Sequence, residues 1–176
     1  MKREILFFLL VVALFLVLIV LFPRKKKVVE EFEFLPEAEE EFNATLFFLD
    51  PAGKFVKIEK KLKWGEFVED RIKECISALK NSPEGLISPI PKETEIKNVI
   101  LSGGIAYINL SRGSLNFPFG TRSEMEMIYG IVNSLSATFP EVKGVKFLVE
   151  SSEVETLGGH ISTKEVIYPD YEVFEK

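Results

Sequence analysis

Glutamine is missing altogether from these 176 residues, and cysteine and histidine occur once each, as Cys75 and His160. A single cysteine excludes an internal disulfide framework and a cysteine-based structural zinc site. A single histidine excludes any site that needs two imidazoles. Positive charge is also in short supply, with 22 Lys and Arg against 27 Asp and Glu, a net charge of −5. Six of those cations and only one anion lie in residues 1–27, which leaves 16 cations and 26 anions on 28–176, a net −10. A body so acidic repels a phosphate backbone, which sets nucleic acid aside as a partner. Few thermolabile side chains beside abundant Lys and Glu is the composition expected of a thermophile protein.

The first feature present is an unbroken apolar run of 18 residues, Ile5 to Phe22. As a helix it would span about 27 Å, close to the roughly 30 Å of a hydrocarbon core. A core helix would carry a polar stripe, and this run has none. It ends Val20-Leu21-Phe22-Pro23-Arg24, without the small residues of a signal cleavage site, and no cysteine follows it to take a lipid. Residues 1–27 are therefore expected to be an uncleaved, single-pass anchor with basic flanks, its membrane partner engaged through Ile5 to Phe22. Arg24 to Lys27 after the run outnumber Lys2 and Arg3 before it, so the flanking charges lean toward a cytoplasmic C-terminal side.

Residues 28–43 hold seven Glu and no Lys or Arg, the pattern of an acidic, solvated linker. A globular pattern follows over 44–168, with 169–176 as a C-terminal tail. Thr45 to Leu49 and Lys54 to Lys63 read as strands joined by the turn residues Asp50-Pro51-Ala52-Gly53. Glu66 to Lys80 switches to helical spacing, with Val68, Ile72, Cys75, Ile76 and Leu79 on one face. Glu95 to Leu101 and Ile105 to Leu110 flank Gly103-Gly104, a second hairpin. Thr121 opens a second helix with Glu124 at capping-box spacing, Ser123 with Glu126 repeats that spacing, and Met125, Ile128, Ile131, Val132, Leu135 and Phe139 form its apolar stripe. Gly130 inside that helix suggests a close backbone contact. Val145 to Glu150 is a fifth strand, with short extended pieces across 154–166. The order ββαββαβ predicts an α+β domain of two layers: one small mixed or antiparallel sheet with both helices on one face, preceded by the transmembrane helix.

No constellation of catalytic residues assembles in this pattern. His160 follows Leu157-Gly158-Gly159 in a tight turn and lacks the companions of a triad or a zinc-protease helix. A hydrogen-bonding or partner-contact role suits it better than chemistry. Cys75 lies on an apolar stripe and reads as a small core hydrophobe. Trp64 reads as packing at the start of a helix, with an exposed binding role as the rival. The glycine pairs lack phosphate-loop spacing, and no metal or cofactor site is expected. Expected partner-contact positions are Gly158, Gly159 and His160 in one loop, and Ser88, Pro89 and Pro91 in another. Rival functions are binding of cell-wall glycan or a small ligand, with Trp64 and phenylalanines lining a groove, and a hydrolase using His160.

Several pieces in this order resemble the GerMN domain of sporulation and spore-germination proteins, over about Thr45 to Val166. They are Leu46-Phe47-Phe48 with Asp50-Pro51-Ala52-Gly53, then 85–91 (GLISPIP), then 104–110 (GIAYINL). Ile131-Val132-Asn133-Ser134-Leu135 with Phe139-Pro140 comes next, and Val145 to Glu150 and Thr156-Leu157-Gly158-Gly159-His160 close the set. The resemblance implies a non-catalytic α/β module outside the cytoplasmic membrane, similar to ring-building folds that mediate assembly. Its implied partner is an envelope protein or a further copy of itself.

Overall fold

The computed structural model describes the backbone of residues 2–21, 40–116, 118 and 120–174. They form two units, divided between Glu37 and Ala38. In the first, Lys2–Leu21 forms helix α1. Its described side chains are those of 3–5 and 7–14, and the apolar ones among them stand exposed. Among the described residues no helix is long and apolar enough to cross a membrane. The spanning role expected of Ile5 to Phe22 therefore rests on sequence alone, and most of the expected acidic linker, 28–39, lies outside the described residues.

The second unit runs β1 (Glu41–Leu49), β2 (Phe55–Lys63), α2 (Val68–Leu79), β3 (Ile96–Ser102), β4 (Ile105–Leu110), a 3-10 turn (Arg112–Leu115), α3 (Thr121–Thr138), β5 (Gly144–Val149) and β6 (Ser152–Glu153). The element order matches expectation with a short sixth strand added. The layering does not. Instead of one sheet there are two, an antiparallel pair β1-β2 and a mixed sheet β3-β4-β5-β6 in which β4 and β5 run parallel.

The reason for the split lies at the outer edge of β1. That edge meets the polar side of α3 where another strand would otherwise pair. Thr138 Oγ1 accepts the Thr45 N–H at 2.9 Å and donates to the Thr45 carbonyl at 3.0 Å, and Ser134 Oγ accepts the Phe47 N–H at 2.9 Å. Helix hydroxyls thus satisfy a strand edge that would otherwise need a partner. The strand also starts earlier than expected, because Glu41 to Asn43, assigned to the linker, pair with Lys63 to Lys61.

Both hairpins follow local rules. Asp50 and Lys54 close the first turn, with the Lys54 N–H bonded to Asp50 Oδ1 at 2.9 Å and Gly53 at φ 78°. Gly103 and Gly104, at φ 58° and 81°, form the two-residue turn between β3 and β4, for which only glycine is free of a steric penalty. A single apolar cluster joins the sheets and helices. It includes Leu46 and Phe48 from β1, Ile72, Cys75 and Ile76 from α2, Ile108 and Phe147 from the mixed sheet, and Met127, Ile128, Ile131 and Leu135 from α3. Met127 fills the place expected of Met125, which is half-buried. Gly130 makes the expected close contact: a Cβ there would lie 2.6 Å from Pro89 Cβ.

Residues 169–174, expected as a tail, pack on the domain. Asn133, fully buried on α3, donates from Nδ2 to the Asp170 carbonyl at 2.8 Å and accepts the Asp170 N–H at 3.0 Å. Beyond this clamp Tyr171 stacks on Phe47 with centroids 5.5 Å apart, and Phe174 meets Phe55 at 5.1 Å.

Candidate functional site

The loop 157–161 carries three of the sequence-predicted contact residues, and its shape depends on a carboxylate behind it. Glu124, in the first turn of α3, is completely buried. Its Oε1 accepts the N–H groups of Leu157 and Gly158 at 3.0 and 2.7 Å, and its Oε2 accepts those of His160 and Ile161 at 2.8 and 3.2 Å. Four amides around one carboxyl group replace the hydrogen bonds it loses on leaving water. The capping role read for Glu124 is taken instead by Ser123, whose hydroxyl accepts the Gly120 N–H at 2.9 Å. Gly159 is needed on backbone grounds, at φ 95° with open space around it, and its N–H bonds Thr156 Oγ1 at 3.0 Å. The His160 side chain stands at the surface.

The second predicted loop is also built into the core. Ser88 Oγ lies 2.7 Å from the carbonyl oxygens of both Leu79 and Ile90, which ties the loop to the end of α2. Pro89 is buried against Gly130, and Pro91 is half-buried. Leu49 and Ile87 exchange backbone hydrogen bonds of 3.0 and 2.8 Å, leaving the Ile87 side chain 52% exposed. Thus Gly159, His160 and Ile87 face outward, while Ser88 and Pro89 face in.

Two further polar anchors were absent from the sequence-based expectation. Asn109 on β4, nearly buried, donates to Asn98 Oδ1 at 2.7 Å and Ser151 Oγ at 3.0 Å, and accepts the Ser151 N–H at 2.8 Å. It supports the turn between β5 and β6, where Glu150 and Ser151 both have positive φ, 50° and 65°. Glu150 adds an ion pair to Lys97 and accepts the Arg112 N–H at 2.9 Å; the Lys97 ammonium, then the Arg112 amide, hold its carboxyl below the ordinary value. Lys146 on β5 is also buried, with Nζ directed at the carbonyls of Thr163 and Lys164 and at Glu153. Unlike these, Glu124 had a legible signal, since it shares a helical face with Ile128, Ile131 and Leu135.

Cys75 behaves as a core hydrophobe, its thiol pushed up by burial to about 12. Trp64 packs near the start of α2, with the Arg71 guanidinium 4.1 Å from its ring centroid and Phe42 edge-on at 6.4 Å, yet it remains 46% exposed. Among the described residues no group of three or more His, Cys, Asp or Glu could hold a metal ion.

The described residues thus form a mixed α+β domain whose buried polar groups bind its own backbone. The family described as sporulation and spore germination, Germane, matches residues 45–155, and the chain belongs to that family. Solved structures give the same fold. Against the tandem GerMN domains of the sporulation protein GerM from Bacillus subtilis the TM-score is 0.62 at 17% identity, covering 74% of this chain and 46% of that one. The chain thus spans about half of the tandem protein. Against the first GerMN domain alone the TM-score is 0.61 at 18% identity, covering 73% of this chain and 97% of that one. A Clostridium perfringens protein described as a lipoprotein matches at 0.51 and 19% identity, over 73% and 87% of the two chains. No curated protein matches the sequence.

Proposed function

We propose that this chain is a non-catalytic, membrane-tethered GerMN module that works outside the cytoplasmic membrane by holding envelope proteins or further copies of itself. One observation carries the non-catalytic part. Glu124, Asn109, Asn133 and Ser134 are turned inward and bonded to backbone or to neighbouring side chains. A catalytic group needs to reach a substrate, and these groups reach the fold instead. The tether is supported by the apolar run Ile5 to Phe22 and by its helical conformation over Lys2–Leu21. An external location is supported by the family's sporulation setting and by the relative described as a lipoprotein. Those outweigh a flanking-charge difference of this small size.

The contact surface in this proposal is the outward side of the 157–161 loop, with His160 at its tip, together with Ile87. Replacing His160 or Ile87 in the cell by a photo-cross-linking residue is expected to give discrete adducts, with the same residue at exposed Asn81 giving none. Equal labelling at all three positions, or none, overturns the contact surface. A C-terminal reporter active only outside the membrane is expected to be active in the full chain. An inactive external reporter beside an active cytoplasmic one reverses the orientation.

A further inference from the structure

The hairpin β1-β2 has two long edges, and only one of them is closed. Along β1 the main-chain groups of Thr45, Phe47 and Leu49 turn outward and are taken by Thr138, Ser134 and Ile87. Residues opposite each other in an antiparallel ladder turn their main-chain groups the same way, both toward the partner strand or both away from it. The residues opposite these three, Glu59, Lys57 and Phe55, therefore direct N–H and C=O away from β1 on the other edge, and Lys61, opposite Asn43, follows by alternation. Among the described residues nothing bonds those groups. The β1-β2 pairing runs through nine residues without a register shift, and β2 contains no proline. Short length, bulges and proline commonly protect an edge strand, and this edge has none of them. A groove lined by Lys60, Leu62, Ser77 and Ala78 separates its far end from α2.

We infer that the free edge of β2 pairs antiparallel with β2 of a second copy, about a two-fold axis at Ile58, to make one continuous four-stranded sheet. The inference rests on the proposed self-association and gives it a surface, on the hairpin edge opposite to the one that Ile87 closes. Lysines on an edge ordinarily repel a second edge, but the side chains here favour one register. With Ile58 opposite Ile58 of the second copy, Lys57 faces the copy's Glu59, and Glu59 faces its Lys57. Both side chains are available, 60% and 61% exposed, and opposite charges directly across a ladder attract. Lys61 faces Phe55 of the copy, its own charge paired with Glu41 at 3.4 Å. Moving the axis one residue either way sets like charges opposite each other, Lys57 on Lys57 or Glu59 on Glu59. On the other face of β2, half-buried Ile58 and Val56 gain cover from the copy's Ile58 and the stem of its Lys60. A two-fold interface is self-complementary, so this one is complete at two copies. The two Glu40 ends lie roughly 30 Å apart in the pair. Residues 22–39 reach roughly 60 Å at most, so both proposed tethers fit one bilayer.

In this register the two Ile58 Cα atoms approach to about 4.5 Å, within reach of a disulfide. The two Val56 positions stay roughly 14 Å apart, beyond it. The full chain carrying Ile58→Cys or Val56→Cys is reconstituted into phosphatidylcholine vesicles and oxidised; Cys75 is completely buried and out of reach. Pairing predicts a disulfide-linked dimer from Ile58→Cys, roughly tenfold more abundant than from Val56→Cys. Energy transfer between fluorophores at the C-termini reports association independently of any disulfide. Glu59→Lys sets lysine against lysine and is expected to weaken association roughly tenfold. Adding Lys57→Glu to it restores opposite charges and is expected to recover association, and circular dichroism confirms that all the variants are folded. Equal cross-linking from Val56→Cys and Ile58→Cys overturns the pairing. Energy transfer that ignores Glu59→Lys, with no Ile58→Cys dimer, also overturns it and leaves self-association standing on another surface. Protection of the Lys57 and Glu59 amides from hydrogen exchange without that dimer means that another strand, such as an extended acidic peptide, fills the edge, and the pairing falls. An unaltered chain that shows no energy transfer refutes self-association and pairing together.

Discussion

The two-residue turn at Gly103-Gly104 and the one at Glu150-Ser151 have the same shape and opposite causes. Both place two successive residues at positive φ between antiparallel strands. Glycine adopts that conformation without steric cost, so the first turn stands on its own residues. Glutamate and serine each resist it, at about 1 kcal/mol or more. The second turn exists because Asn109, Lys97 and the Arg112 amide hold it from outside. The contrast extends to the regions around them. From β1 to β4, turns and strands follow local rules. From Glu150 onward the chain is suspended from buried polar side chains on β4, α3 and β5: Asn109 at the turn, Glu124 under the 157–161 loop, Lys146 under 163–164, Asn133 at Asp170. The local rules need only the right residues in sequence; the suspended region needs the core to form first.

The largest effect should come from Glu124→Ala, which leaves four amides without their acceptor. A loss of about 3 kcal/mol or more is expected in urea unfolding, with the first hairpin's hydrogen-exchange protection falling only as far as global stability does. A loss below about 1 kcal/mol would mean that water replaces the carboxylate and that the loop is not suspended. Asn133→Ala should cost about 2 kcal/mol and free residues 169–174 specifically, seen as exchange at Asp170 and Tyr171 that quickens more than the global loss alone imposes on β3 and β4. Uniformly faster exchange throughout the domain would erase the distinction between the regions. The smallest effect is expected at Glu150. Its carboxyl is held below the ordinary 4.5 in the folded state, so its stabilising contribution is present above that value and fades as pH falls through the folded-state value. Glu150→Gln should therefore lower stability at neutral pH and flatten its acid-side decline. An unchanged slope would show that Lys97 and Arg112 do not hold the turn through charge.

Much of the fold was legible for a physical reason: periodicity and turn chemistry act within a few residues. The α2 stripe, Gly103-Gly104 and the close approach at Gly130 are all of this kind. The sheet division was not legible, because whether β1 pairs with another strand or with hydroxyls of α3 depends on residues about ninety positions away. The candidate loops were read as contact surfaces, whereas the bonds that Gly158, Gly159 and Ser88 make are internal to the fold. A short motif looks the same whether its amides face a partner or a buried glutamate.

By itself the sequence determined the acidic body, the family, the apolar run Ile5 to Phe22, and the elements that short-range spacing can specify. Tertiary structure alone decided that Glu124 and Asn133 point inward and that 169–174 is part of the domain. Burial and long-range hydrogen bonds join residues far apart in the chain, and no local pattern encodes which of them will meet.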